Sequence, residues 1–232
     1  MEAAVEKHNP RETAVERMAR QSAEFMTALM RMIMLAAMLA PLLLAAMLTV
    51  DIPVYAFDWI AGDHIASRPS NWLSRGGVIM AMAPLAVILF ARKYGGDEAS
   101  RAVTASWGVA AAAVFAELSI LAPSLEDGDL PGVRFTVLFT ASAMAAQYMA
   151  ASAYDISRGG GRWWRAPLYG ALLAYGTYAL IYFPGVYAGS GVPWINWMIG
   201  DFAIKTLFAL LFLPVYGFLR KPLKPKGGYG GI

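Results

Sequence analysis

WINWMIGDFAIKTLFALLFLPVYGFL, residues 194–219, is an apolar stretch carrying only two charges, Asp201 and Lys205. At 1.5 Å of rise per residue it reaches about 39 Å, enough to cross the hydrocarbon core of a bilayer. The two charges stand four apart, so a helix puts both on one face. An isolated charge at the centre of a membrane helix costs about 2.5–3.5 kcal/mol, and an internal ion pair removes most of that cost. The segment therefore reads as a spanning helix with a reason to keep its charges.

Five similar stretches precede it, at 25–50, 76–91, 102–123, 133–154 and 166–187. The second is short and extends across its flanks. Alternating ten-residue strands, the mark of a membrane barrel, are absent. The expected fold is all-α, a polytopic bundle of six transmembrane helices. Residues 1–24 form a cytoplasmic amphipathic segment, 25–219 the transmembrane domain, and 220–232 a basic flexible tail. Composition agrees: of 232 residues, 58% are hydrophobic and 15% charged, against about 45–50% and 25% in soluble domains.

Positive charge orients the bundle. Fourteen of the 19 Lys and Arg residues fall on one side, in the amino-terminal segment, the loops after the second and fourth spans, and the tail. Arg68, Arg75 and Arg134 fall on the other, and Arg31 and Lys205 lie within spans. Both termini are expected to be cytoplasmic. Topology thus accounts for the net charge of +3, and no nucleic-acid partner is expected. Trp59, Trp72, Trp163, Trp164, Trp194 and Trp197 lie near span ends and read as interfacial anchors.

Asn9-Pro10 looks like a helix cap, with Val15, Met18, Ala19 and Met26 on one face of the helix that follows. This polar start does not resemble a secretory signal. The outer loop at 51–75 is long and aromatic, and is expected to lie in the interface or to fold back as a short helix. Gly159-Gly160-Gly161 lacks the Lys and Ser/Thr of a phosphate loop and reads as a turn.

Inside the spans, Arg31 is close enough to an end to snorkel. Glu117, near the outer end of the third span, is accounted for equally by solvation and by function. Asp201 and Lys205 read either as a packing device or as a binding or coupling site facing a cavity. Gln147 has an amide to satisfy and stands among small residues that permit close helix approach. Pro84 and Pro214 free backbone carbonyls. Tyr169, Tyr175, Tyr178, Tyr182 and Tyr187 make the fifth span phenol-rich, suited to a flat ligand or to packing at the lipid edge. The candidate substrate-binding residues are Asp201, Lys205, Gln147, Glu117, Tyr175 and Tyr178.

Enzyme chemistry is not expected. The two histidines, His8 and His64, lie outside the spans, cysteine is absent, and neither a zinc nor a nucleophile motif occurs. No metal site is read and no cofactor is identified.

Arg162-Trp163-Trp164 with Ala166-Pro167, Asp201 with Lys205, Phe212-Leu213-Pro214-Val215-Tyr216-Gly217, Gln147, and Arg92-Lys93-Tyr94-Gly95 with Arg101 carry a resemblance. Over roughly residues 71–219 the chain resembles the bacterial queuosine-precursor transporters, six-helix membrane proteins of the vitamin-uptake-like kind. The resemblance implies transport across the bacterial inner membrane. It departs where that family has aspartates: Ile88, Ala150 and Tyr178 stand there. The reading is a small-molecule permease for a flat or largely apolar solute, with the lipid bilayer as its surroundings. The alternative is a transport-inactive accessory or assembly subunit of a larger membrane complex. The expected partners are a small-molecule solute, and either a larger membrane complex or, on the permease reading, further copies of the chain.

Overall fold

Long apolar runs satisfy their backbone groups internally by becoming helices. The computed structural model of the chain describes residues 13–121, 123, 131–159 and 161–225. Six long helices occupy most of them: α1 (Ala14–Met47), α2 (Arg75–Tyr94), α3 (Gly96–Leu121), α4 (Val133–Ser157), α5 (Arg165–Tyr187) and α6 (Trp194–Leu219). No strand occurs among the described residues, where pairing is limited to an isolated bridge between Pro53 and Ser74. The all-helical expectation is met, and helix boundaries fall close to the stretches read from the sequence. Four helices, α1, α2, α3 and α6, are long and apolar enough to cross a membrane. The outer faces carry exposed Leu180, Leu207, Leu211, Val215 and Phe218, as in an integral membrane protein.

The other two, α4 and α5, hold the small residues, and they pack on each other more extensively than any other pair. A Cβ placed on Gly170 would already stand 3.3 Å from the Ala150 carbonyl oxygen, so the two backbones approach as closely as alanine and glycine allow. Helix α2 touches all five others, and these form an arc around it in the order α1, α3, α4, α5, α6. Met80, Ala83, Val87, Ile88 and Ala91 are accordingly buried. Tight turns set the alternation. Gly95 alone separates α2 from α3, and its φ of +94° lies in the region that favours glycine. Asp155 of α4 then accepts from the Gly96 N–H at 3.0 Å, closing the start of α3.

Helix α1 is continuous from Ala14 and is capped by Thr13, whose side chain and that of Glu16 form a reciprocal capping box. The Asn9-Pro10 cap, Lys7, His8 and Arg11 lie outside the described residues, as do Gly160 and the tail from residue 226. The first buried residue of α1 is Leu35, and Arg31 places its guanidinium 5.3 Å from the ring of Tyr94 at the end of α2. Arg31 therefore sits at the basic end of the bundle, where it can snorkel. The residues of α1 before it project past that end.

The loop between α1 and α2 has short helical structure, in line with the second of its two expected forms. It forms three short 3-10 turns, pinned where Asp58 accepts from the Ser70 N–H at 2.8 Å and hydroxyl at 2.7 Å. Two tryptophans expected to be interfacial belong to this packing. Trp197 is buried and donates its indole N–H to the Ala66 carbonyl at 3.0 Å, while Trp72 lies against Gly200, where a Cβ would come within 2.8 Å of the indole. The remaining tryptophans at span ends are partly or fully exposed.

Gly76 marks the tightest helix crossing. A Cβ there would collide with the Ala46 carbonyl and stand 2.6 Å from Val50 Cα, so the backbone itself must yield. Gly76→Ala is expected to lower stability by about 1–3 kcal/mol, read as a reduced unfolding temperature in detergent. Gly108→Ala, where nothing lies within 4 Å, should be neutral or slightly stabilising.

Candidate functional site

Four turns before the end of α6, Lys205 turns inward. Its Nζ donates to Asp201 Oδ2 at 2.7 Å, and both residues are 4% exposed. The spacing of four makes this contact local to one helix. What the sequence did not specify is the third member. The ammonium lies over the ring of Tyr178 on α5, 3.6 Å from the centroid, a cation–π contact made strong by exclusion of water. Tyr178 stacks on Tyr182 at 5.0 Å with an interplanar angle of 21°. Tyr182 in turn meets Phe183 and Tyr187 edge-on. The phenol-rich face of α5 is thus an aromatic wall turned inward over Tyr175, Tyr178 and Tyr182, while Tyr169 faces outward.

Tyr175 is anchored separately, its hydroxyl donating to the Ala81 carbonyl of α2 at 2.8 Å. That carbonyl neighbours the Met80 carbonyl, which loses its helical donor to Pro84. Gln147 of α4 is fully buried and fully engaged. It accepts from the Trp107 indole N–H at 3.1 Å and donates to Met80 Sδ at 3.8 Å.

Met80, Ala81, Pro84, Ala143, Ala146, Tyr175, Tyr178 and Lys205 enclose a small cavity among α2, α4, α5 and α6. Its volume is about 10 Å³, room for one water molecule. Of the six candidates, Lys205, Tyr175 and Tyr178 line it, and Asp201 holds Lys205 from behind. Gln147 stands one side chain back, reaching the wall through Met80. Glu117 is exposed on α3 and stands apart from this group. The sequence reading missed Met80, Ala143 and Ala146 as lining residues, and Trp107 as the partner of Gln147. An indole placed inside a span was the signal available for the last of these.

Ile88 and Ala150 are fully buried and meet around Gly170, whose Cβ would stand 3.3 Å from both Ile88 Cδ1 and the Ala150 carbonyl. That part of the interior is filled by aliphatic side chains. Among the described residues, no group of three or more His, Asp or Glu side chains is placed to hold a metal ion. No family model, curated protein or solved structure matches the chain.

The pair can do two things chemically. It presents a net-neutral dipole to the cavity, and it offers the remaining ammonium protons to an acceptor seated against Tyr178. Removing one partner leaves a buried charge alone, whereas removing both leaves only a packing problem. Asp201→Leu or Lys205→Met is therefore expected to cost about 3–5 kcal/mol, and the double replacement markedly less than either. Thermal unfolding of the four proteins in one detergent measures the cycle. Equal damage from single and double changes would exclude the pairing.

Proposed function

We propose that the chain is a six-span integral membrane protein with both termini cytoplasmic, acting as a permease for a flat, neutral, largely apolar solute. The observation that carries this reading is the Lys205–Asp201 pair beside an interior cavity and under an aromatic ring. A pair serving packing alone is dispensable, since hydrophobic residues of equal volume stabilise as well or better. Neutrality of the pair favours a neutral solute. The Tyr178 and Tyr182 faces favour a planar one, and the Lys205 ammonium favours a carbonyl or ring-nitrogen acceptor on its edge.

The resemblance to queuosine-precursor transporters supports the fold side of this reading. The aliphatic packing at Ile88 and Ala150 argues for a less polar cargo than a deazaguanine base. With about 10 Å³ of free volume, this conformation is closed to any solute, so transport requires α5 and α6 to move apart. The same observation favours the second reading, an accessory or assembly subunit of a larger complex in a bacterial inner membrane, whose interior need never open.

Two measurements test these claims. The chain has no cysteine, so single introduced cysteines report sidedness. Ser190→Cys is expected to label from outside intact cells, and Gly159→Cys only after permeabilisation; the reverse pattern would overturn the orientation. For transport, the purified protein in proteoliposomes is expected to accumulate members of a panel of neutral heteroaromatic compounds. Lys205→Met paired with Asp201→Leu, the variant expected to retain its fold, should reduce uptake at least about tenfold. Absence of uptake, together with stoichiometric co-purification of larger membrane proteins, would select the accessory subunit.

A further inference from the structure

At the end of the bundle where α2, α4 and α6 finish and α5 begins, four arginines border one concavity. Arg92, Arg158, Arg162 and Arg220 line it together with Trp163 and Tyr216. The concavity holds about 40 Å³, roughly three waters' worth of space and the size of a phosphate group. Among the described residues no carboxylate lines it, and Asp155 reaches Arg158 from the side at 3.1 Å.

Arg92 is the most informative of the four. It donates to the Tyr216 hydroxyl at 3.1 Å and to the Arg220 carbonyl at 2.8 Å, both neutral acceptors. Its Nε is buried with no hydrogen-bond partner among the described residues. A half-buried guanidinium whose hydrogen-bond acceptors among the described residues are neutral is a favourable partner for an anion.

The surroundings are built rather than merely basic. Trp163 and Tyr216 lie parallel, within 6° at 6.4 Å. Arg220 sits over the Trp163 ring at 5.7 Å and Arg92 over the Tyr216 ring at 5.5 Å. The Tyr216 hydroxyl is fixed by that of Tyr154 at 2.8 Å. Orientation of a membrane protein requires basic residues only in its loops. It does not require arginines from two separate segments, Arg92 on α2 and Arg220 at the end of α6, to be held over rings beside one pocket, an arrangement that pre-pays part of the ordering cost of binding.

We propose that this concavity is a phosphate-binding site, taking either the phosphodiester of an anionic lipid headgroup or a free phosphate group. A bidentate fork from Arg162 or Arg220 suits either. The site is separate from the Lys205 cavity and stands whether or not the protein transports.

The test uses the full chain purified in a nonionic detergent and stripped of lipid. Short-chain phosphatidylglycerol, short-chain phosphatidylcholine and inorganic phosphate are each titrated at matched ionic strength, with binding followed by native mass spectrometry and unfolding temperature. Saturable binding is expected for phosphatidylglycerol or for phosphate. It should weaken at least about tenfold in Arg162→Gln and Arg220→Gln and stay unchanged in Lys221→Gln, which lies outside the pocket. Preference for phosphatidylglycerol over phosphate identifies a lipid headgroup as the source; equal or better binding of phosphate identifies a free anion. Arg92 ties α2 to α6, so Arg162→Gln, at the exposed rim, is the variant that separates binding from folding. Binding of neither probe, equal binding of phosphatidylcholine, or indifference to Arg162→Gln and Arg220→Gln would overturn the site.

Discussion

Lys205 is accommodated in the middle of an apolar helix because Asp201 lies one turn away and Tyr178 covers it, and this arrangement fixes much around it. An ammonium with no water must find its partners within the protein. Asp201 satisfies it along α6, and the ring of Tyr178 satisfies it across the helix interface. The second contact sets the rotation of α5 against α6. Once Tyr178 faces inward, Tyr175 and Tyr182 follow on the same face at helical spacing, and α5 turns Leu173 and Leu180 outward. The aromatic wall is a consequence of one buried charge.

The same constraint sorts the remaining cations. The arginines lie toward the ends of the bundle, and at the basic end several of them lie on rings: Arg31 on Tyr94, Arg92 on Tyr216, Arg220 on Trp163. The two sites thus use one chemistry in different dielectric settings. In the interior the charge is neutralised by a partner on the same helix. At the end of the bundle the acceptors of Arg92 among the described residues are neutral, the condition under which an external anion contributes.

Close packing supplies the frame for both. Helix α2 contacts every other helix, and α4 and α5 meet through alanine and glycine. Such interfaces have little slack, because a single added methyl at Gly76 meets backbone rather than a movable side chain. The aliphatic fill at Ile88 and Ala150 belongs to this frame.

The helices and their approximate bounds were legible in the sequence, because a backbone in an apolar medium has few other ways to satisfy its hydrogen bonds and the apolar runs have the necessary length. The Asp201–Lys205 bond was legible for a local reason: residues four apart on a helix always share a face. Whether a side chain meets a neighbouring helix depends on helix rotation, which no local pattern encodes. The contact of Tyr178 with Lys205, the distance of Glu117 from both, and the inward turn of Trp72 and Trp197 were settled only by packing. The arginines divide along the same line. Their segregation to one end follows from the sequence by charge alone. The convergence of Arg92, Arg158, Arg162 and Arg220 on one pocket required α2, α4, α5 and α6 to be brought together, since these residues are far apart in the chain and adjacent only in the fold.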